Sequence, residues 1–386
     1  MSAKSQVFDV LVAGGGPAGA ATARALALAG WSTVVLDASG AGPRAGETVP
    51  PEIRPLLAEL GLWEKFLAQG HLPSAGNLSV WGGPDLARHY NPFHPYGTGW
   101  HLDRSRFDAL LASAAQEAGA DLRPGCRVVS AQWDGKLWQV TVRSRTGLFD
   151  LAARCLADAT GRSAALVRRL GGKRRLLDGL VARMGCFSPA ADARPVAAEV
   201  LVEAVEEGWW YSAPVPGGPV AVAFFTDAGT GGAGSASAWS SLEQAGPTRE
   251  RLRGYAAPPE ACVRSAASAV SEGPEASRFL AVGDAALAFD PLSSQGILKG
   301  LESGLAAAAA FDAELRGRPG APEEYRAKLR HDLGRYLELR AGYYGLETRW
   351  PASPFWRARQ RSVPHRSVPS SIETPEILRL LDSLPL

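Results

Sequence analysis

Two short apolar runs and one helical run open the chain. Residues 7–13 read Val-Phe-Asp-Val-Leu-Val-Ala, a mostly apolar stretch that predicts a buried parallel strand. Residues 20–29 are rich in alanine and leucine and predict a helix that ends at Gly30, a usual C-terminal position for glycine. Residues 32–37 predict a second strand with Asp37 at its end. The pattern predicts the first β–α–β unit of an α/β protein.

A glycine cluster, Gly14-Gly15-Gly16-Pro17-Ala18-Gly19, joins the first strand to the helix. Gly14 permits a tight turn, Gly16 lets the backbone approach a pyrophosphate, and Gly19 lets helix and strand pack closely. The helix N-terminus adds free N–H groups and a positive dipole end. Asp37, 18 positions after Gly19, suits the ribose hydroxyls. The candidate nucleotide-binding residues are Gly14, Gly16, Pro17, Ala18, Gly19 and Asp37. The alternative is a glycine-rich turn of another α/β protein, and the motif alone leaves FAD and NAD open.

A second segment, far along the chain, favours FAD. Residues 278–286 predict a strand ending in Gly283-Asp284, and a turn from Pro291 leads to an alanine-rich helix that begins at Gly296-Ile297. This segment resembles the second FAD fingerprint of the p-hydroxybenzoate hydroxylase-like flavoproteins. The resemblance implies that Asp284 binds the ribityl chain and that the turn lies by the flavin ring. Its helix would then point at the pyrimidine end, where a helix N-terminus stabilises the negative charge of reduced flavin.

Two further segments resemble parts of related flavoproteins. Residues 103–108 resemble the Asp-Arg-x-x-Phe-Asp segment of geranylgeranyl reductases and flavin-dependent tryptophan halogenases, which implies that Arg104 contacts the cofactor. Residues 158–161 resemble the family's Asp-x-x-Gly strand end beside the nucleotide, which makes Asp158 and Gly161 candidates. The alternative for Arg104 is an exposed arginine at a helix start.

The loop after the second strand adds two candidates. Residues 46–50 resemble the family's Gly-Glu-x-x-Pro loop, so Arg44 and Glu47 are candidates for contact with the cofactor or the active site. The alternative is a solvated loop.

These resemblances imply an interleaved α/β fold. A Rossmann-like FAD-binding domain of the p-hydroxybenzoate hydroxylase and glutathione reductase-2 type would comprise residues 1–75, 100–180 and 272–320. An antiparallel β-sheet substrate domain would take residues 76–99 and 181–271, where strand-like segments recur. Residues 321–386 predict a helical C-terminal tail that packs over the substrate domain, with partner binding as the alternative.

One substitution bears on the reaction. Tryptophan halogenases carry a lysine in a strand after the Gly-Glu loop, but here Asn77 stands about where that lysine would lie. A lysine amine can capture hypohalous acid, and an asparagine amide is a poor substitute. Another branch of flavoproteins offers a closer resemblance, in residues 74–81, 91–101 and 208–214. It contains the halogenase-like monooxygenases that mature quinone-cofactor enzymes. These enzymes modify a tryptophan within a protein or peptide, as a step toward cysteine tryptophylquinone.

The preferred hypothesis is therefore an FAD-dependent monooxygenase that hydroxylates an indole, a tryptophan or a similar aromatic, within a peptide or protein or as a small molecule. Candidate substrate-pocket residues are Asn77, Trp81, Trp100, Trp209, Trp210 and Tyr211, although large aromatics are often core residues. His101, just before Asp103-Arg104, is the candidate acid/base, with a structural histidine as the alternative.

Three other functions stay open. A halogenase would use another lysine such as Lys65, an alkene reductase like geranylgeranyl reductase would consume no oxygen, and a non-catalytic flavoprotein would act as a chaperone of a partner enzyme. No second nucleotide motif is present, so either NAD(P)H binds transiently or a separate flavin reductase supplies the electrons.

Composition narrows the partners. The 386 residues carry a formal net charge of +2, too small to indicate nucleic acid or an anionic membrane as a partner. No apolar run reaches the length of a membrane-spanning helix, and no signal peptide precedes the first strand. The four scattered cysteines predict neither a metal site nor a disulfide framework, and they favour a cytoplasmic location.

Overall fold

The computed structural model describes residues 6–38, 47–229, 239–274 and 278–360. Arg44, predicted to contact the cofactor, lies outside the described residues, as does the end of the predicted C-terminal tail from 361 to 386. The strands, in chain order, are β1 (Gln6–Ala13), β2 (Thr33–Asp37), β3 (Glu47–Val49), β4 (Leu72–Ser74), β5 (Gly76–Val80), β6 (Ala87–His89), β7 (Gly99–Leu102), β8 (Asp121–Pro124), β9 (Arg127–Trp133), β10 (Trp138–Ser144), β11 (Gly147–Asp158), β12 (Lys173–Leu176), β13 (Leu180–Pro189), β14 (Glu199–Val205), β15 (Gly208–Pro214), β16 (Val220–Asp227), β17 (Tyr255–Ala256), β18 (Cys262–Ser265), β19 (Ala269–Glu272), β20 (Phe279–Ala281) and β21 (Leu287–Ala288).

The helices, in the same order, are α1 (Pro17–Leu28), α2 (Ile53–Glu59), α3 (Trp63–Leu67), α4 (Arg104–Glu117), α5 (Ala165–Arg169), α6 (Pro247–Arg251), α7 (Gly296–Leu315), α8 (Ala321–Leu346) and α9 (Pro354–Gln360). Single 3₁₀ turns lie at Gly161–Ser163, Ser240–Gln244, Gly283–Ala285 and Pro291–Ser293. In these described ranges, no helix is long and apolar enough to cross a membrane.

A seven-stranded sheet carries both glycine-rich segments. Its order is β8-β2-β1-β11-β10-β9, and β20 pairs with the end of β11. β1 lies between two parallel neighbours, β2 and β11, which explains why its central residues Val10, Leu11 and Val12 are fully buried. Because parallel strands end at the same edge, the C-terminal ends of β1, β2, β11 and β20 lie together there.

An eight-stranded sheet, called here the substrate sheet, forms the second layer. Its order is β17-β13-β16-β15-β14-β5-β6, with β18 also paired to β13. The pairs are antiparallel except β14 with β5. Since side chains alternate along a strand, Trp209 and Tyr211 share one face of β15, whereas Trp210 faces the other way.

The C-terminal helices α8 and α9 complete the core. Tyr344, Phe355 and Trp356 are almost fully buried and belong to one hydrophobic cluster with Trp209 of the substrate sheet and Leu292 of the turn before α7. The predicted fold class is thus confirmed in its architecture: an α/β layer with a mixed sheet, an interleaved and mostly antiparallel sheet, and C-terminal helices.

Candidate active site

The two distant glycine-rich segments meet in space. Gly283 has a φ of +60°, and a Cβ on it would lie 2.6 Å from the Cβ of Ala18 in α1. The Thr22 hydroxyl of α1 donates to the carbonyl of Gly304 in α7 at 3.2 Å. Ala18 and Gly283, both predicted from sequence as cofactor-binding residues, therefore lie side by side.

Two glycines of the first turn are required by the backbone. Gly14 has a φ of +112°, and a Cβ on it would overlap the carbonyl oxygen of Ala159. A Cβ on Gly19 would overlap the carbonyl oxygen of Gly14. Both positions exclude any larger residue, because the strand end and the helix start are in direct contact.

Two other glycines border open space. A Cβ on Gly16 or on Gly296 would have no atom of the described residues within 4 Å, although each glycine stands at or just before the first turn of a long helix. Asp37 lies beside the first of these spaces. A Cβ placed on the neighbouring Gly15 would be 3.1 Å from the Asp37 carboxylate oxygen. Helix N-termini that face empty space beside an acid fit the phosphates and ribose of FAD.

Asp284 lies between two arginines. Its carboxylate is 3.3 Å from Arg162 Nε, and its backbone carbonyl accepts from Arg174 Nη2 at 2.7 Å. Arg162 also donates to the carbonyl of Phe289 at 2.6 Å. Burial raises the pKa of Asp284, and the two arginines oppose the rise. The arginines hold the segment after Gly283 in place and leave the carboxylate part-exposed.

Asp158 is occupied by its own chain. Its carboxylate accepts from the Thr160 N–H and hydroxyl at 3.0 and 2.6 Å, and from the N–H groups of Leu166 and Val167, each at 2.8 Å. With four protein donors and no exposure, Asp158 orders the loop that follows it and is not placed to contact a ligand directly. Gly161, with a φ of +64°, supplies the turn in that loop.

Arg104 forms a buried charged cluster at the start of α4. It pairs with Glu47 of β3 and, at 3.2 Å, with Asp108 one turn later. Burial alone would lower the pKa of Arg104, but the two carboxylates raise it. Its Nε is buried and has no partner among the residues that the structure describes, whereas Glu47 is 48% exposed. Arg104 is therefore buried, and the alternative interpretation of an exposed arginine at a helix start does not describe it.

The turn before α7 is held by a network that the sequence did not predict. Asp290, 1% exposed, accepts from Tyr344 OH at 2.8 Å and from Arg340 Nε at 3.3 Å, both in α8. Tyr344 in turn accepts from the indole N–H of Trp209 at 3.1 Å. Helix α8 therefore links the turn at Pro291 to the substrate sheet, as well as covering that sheet.

The predicted substrate aromatics divide into four groups. Trp81 and Trp209 are covered by Trp356 and Tyr344, and the Trp209 ring stacks on Phe225 at 3.9 Å. Trp210 is fully buried on the opposite face, where it stacks on Phe224 at 4.7 Å.

Trp100, by contrast, packs edge-on against Phe66 at 5.3 Å, in the core beneath α4. Tyr211 is part-exposed on the face that meets β3, where its hydroxyl lies 2.9 Å from Thr48 Oγ1.

Asn77 shares that face. It is paired in register with Val200, and Val202, two residues along β14, is paired with Tyr211. Paired residues point the same way, so Asn77 and Tyr211 line one surface. Met184 and Tyr211 are each paired in register with Ala223, on its two sides, so Met184 points the same way as Tyr211. Met184 is also part-exposed.

His101 joins the two layers. Its Nδ1 is 2.8 Å from Thr48 Oγ1, its Nε2 is 2.8 Å from the carbonyl of Ala198, and Thr48 Oγ1 is 2.9 Å from Tyr211 OH. Burial lowers the pKa of His101 to about 4. Both ring nitrogens have protein partners, so the predicted acid/base residue reaches a substrate only through Thr48 and Tyr211.

Thr48 and Tyr343 are site residues that sequence reasoning missed. Thr48 lies inside the Gly-Glu-x-x-Pro loop, but its contacts depend on three separate strands. Tyr343 of α8 is part-exposed in the same cluster as Tyr211, and within the described part of the chain its buried hydroxyl has no partner. In the sequence, Tyr343 appears only as one of two adjacent tyrosines in an amphipathic helix. That pattern has no local feature of a binding site.

Comparison with known proteins agrees with this geometry. Residues 7–328 match the FAD binding domain family. The FAD-dependent oxidoreductase LodB of Marinomonas mediterranea is 31% identical over 361 residues, which cover 91% of this chain and 96% of that protein. A tryptophan 2-halogenase of Chondromyces crocatus is 25% identical over 373 residues, covering 91% of this chain and 70% of the relative.

Two solved structures share the fold. The myxobacterial chondrochloren halogenase CndH superposes with a TM-score of 0.84 at 23% identity, covering 97% of this chain and 90% of its own. The peptidyl tryptophan dihydroxylase QhpG gives a TM-score of 0.73 at 26% identity, covering 92% of this chain and 78% of its own. The chain therefore belongs to the FAD binding domain family and is an FAD-dependent oxidoreductase of the halogenase and hydroxylase fold.

Proposed function

We propose that this enzyme is an FAD-dependent monooxygenase that hydroxylates an indole or similar electron-rich aromatic ring, in particular a tryptophan side chain within a peptide or protein. The observation that carries the proposal is the surface shared by Asn77 and Tyr211. Tyr211 bonds there to Thr48 of β3, Asn77 and Tyr211 are both part-exposed, and they offer an amide and a phenol where the resemblance to tryptophan halogenases would require an amine.

The positions of the lysines support this choice. In the described ranges the lysines are Lys65, Lys136, Lys173, Lys299 and Lys328, and all lie outside the substrate sheet. Lys65, the candidate for a halogenase, pairs at 2.6 Å with Glu117 on the surface of the other layer, with both side chains 51% exposed. None of them is set to capture hypohalous acid next to an aromatic ring on that sheet.

Reduced FAD, when bound, activates dioxygen and supplies the oxygen atom. The chain's own contribution is to hold the substrate ring and exclude water. Tyr211 and Met184 form the floor under the ring. The Asp290–Tyr344 bond keeps the turn at Pro291 at a set distance from this floor. Arg104 and Asp284 would hold the cofactor from the opposite side.

The names of similar proteins support an aromatic substrate. QhpG is named for the dihydroxylation of a peptidyl tryptophan, and several relatives are named flavin-dependent halogenases. Halogenation is the second candidate for that reason, and it predicts a different product. For electrons, we propose NAD(P)H that binds transiently or reduced flavin from a separate reductase.

Mass spectrometry of the product separates these reactions. The FAD-loaded protein is incubated with reduced FAD, air, chloride, bromide and tryptophan-containing peptides, and matched peptides with phenylalanine serve as the control. A gain of one oxygen atom on the tryptophan peptides alone supports the proposal. A halogen isotope pattern, or a gain of two hydrogens, would overturn it.

A further inference from the structure

A chain of hydrogen bonds connects the backbone of the substrate sheet to the Tyr211 phenol. It runs from the carbonyl of Ala198 to His101 Nε2 at 2.8 Å, from His101 Nδ1 to Thr48 Oγ1 at 2.8 Å, and from Thr48 Oγ1 to Tyr211 OH at 2.9 Å. His101 is 1% exposed, so water does not compete for its nitrogens.

The Ala198 carbonyl, at one end of this chain of hydrogen bonds, determines which atom donates in each bond. A backbone carbonyl only accepts, so His101 Nε2 carries the proton that is donated to Ala198. Because burial holds the pKa of His101 at about 4, the ring is neutral at neutral pH, and Nδ1 is therefore an acceptor. Thr48 must donate its single hydrogen to Nδ1. Its oxygen then accepts the hydrogen of Tyr211.

Tyr211 is left with an unused lone pair and no hydrogen to give. Its partners in register on the sheet are Val202 and Ala223, whose side chains are small and apolar. The backbone N–H of Thr48 and the Arg251 guanidinium also act on the phenol. Burial also raises the pKa of Tyr211 to about 12, so the phenol stays protonated and the polarity of the chain is kept. The phenol oxygen thus presents an acceptor to whatever lies on the sheet.

We propose that Tyr211 is a positioning residue that accepts a hydrogen bond from the N–H group of the substrate's indole ring, and that Thr48 and His101 set this polarity. The inference rests on the proposed function, since it concerns how the same substrate is held. The N–H group of an indole can donate a hydrogen bond to the oxygen of Tyr211. A ring in which sulfur replaces the N–H has no hydrogen to donate and leaves that oxygen unpaired.

The test compares two probes of similar shape, N-acetyltryptophan amide and its benzothienyl analogue, in which sulfur replaces the N–H. Binding to the FAD-loaded protein is measured by calorimetry. The wild-type protein is expected to bind the indole about fivefold more tightly, which corresponds to a neutral hydrogen bond of about 1 kcal/mol. Tyr211→Phe and Thr48→Val should each reduce the ratio of the two affinities toward one, and Thr48→Ser should restore it.

A matched control is Tyr90→Phe. Tyr90 is 47% exposed, and its hydroxyl donates to Glu199 at 2.8 Å at the edge of the same sheet, so its loss should leave the ratio unchanged. The visible spectrum of bound flavin verifies that each variant folds. A wild-type ratio of one, a ratio that survives Tyr211→Phe, or no binding of the indole probe would overturn the inference.

This result is separable from the reaction itself. A product with one added oxygen but a ratio of one rejects only the role of Tyr211. A preference for indole with a chlorinated product keeps that role and rejects oxygenation.

Discussion

Tyr344 donates a hydrogen bond to Asp290 across 2.8 Å, although 54 residues separate them along the chain. The same phenol oxygen accepts from Trp209 on the substrate sheet at 3.1 Å. Helix α8 therefore controls the spacing between the turn that would face the flavin and the sheet that would hold the substrate. The C-terminal helix is part of the site rather than an appendage.

Removing the Tyr344 hydroxyl should lower the stability of the folded protein. Tyr344→Phe leaves the buried Trp209 N–H without a partner and takes one donor from the buried Asp290 carboxylate, so we expect a loss of about 2 kcal/mol in the free energy of unfolding. Urea denaturation of the flavin-free protein measures the loss. The neighbouring Tyr343→Phe is the control, because that hydroxyl bonds to no described residue and its removal should cost nothing. Equal losses in the two variants would contradict the network.

Two glycines of the first turn should respond in opposite ways to alanine. Gly16→Ala places a methyl group in open space, so the flavin-free protein should keep its stability but bind FAD much more weakly, because the methyl occupies the room for the pyrophosphate. Gly14→Ala should lose about 3 kcal/mol or more of stability, since φ is +112° and the methyl meets the Ala159 carbonyl. Thermal unfolding and FAD titration distinguish the two. Retention of full FAD affinity in Gly16→Ala would argue against this placement of the cofactor.

The buried imidazole predicts a pH dependence of stability. Burial lowers the pKa of His101 from its ordinary 6.5 to about 4, so the unfolded chain takes up a proton before the folded protein does. The stabilisation is complete above pH 6.5 and is lost as the pH falls toward 4. Within that window the wild-type protein should lose up to about 1.4 kcal/mol per pH unit more than His101→Gln. Identical slopes in the two proteins would mean that the ring is not held neutral.

Lys65 should be dispensable. Its partner Glu117 is on the surface, and neither residue lies near the substrate sheet, so Lys65→Ala should leave stability, FAD content and product unchanged. Activity assays with tryptophan peptides check this. Loss of product while bound flavin is retained would revive the halogenase that uses this lysine.

The flavin-binding unit was predictable because its signals are local. β1, α1 and β2 follow from an apolar run, a glycine turn and a helical run that are adjacent in sequence, and proline in the first turn explains why α1 begins at Pro17 rather than near Ala20. Alternation along β15 also predicts that Tyr211 and Trp210 face opposite ways. Which of them faces the flavin depends on the register with Val202 and Phe224, and no local pattern encodes that register.

The remaining features depend on contacts between distant segments. Trp81 and Trp209 look like pocket aromatics in sequence, but α8 and α9, more than a hundred residues later, cover them. His101 looks like a free acid/base residue until the Ala198 carbonyl takes its Nε2. In both cases burial by a later element converts a candidate contact into a structural one.

The fate of isotopically heavy dioxygen tests the central claim most directly. A tryptophan peptide is incubated with the FAD-loaded enzyme and reduced FAD in ordinary water under the labelled gas, and the product is weighed by mass spectrometry. We predict one heavy oxygen atom on the indole ring. Oxygen drawn from water, a halogen, or two added hydrogens in the product would contradict the account.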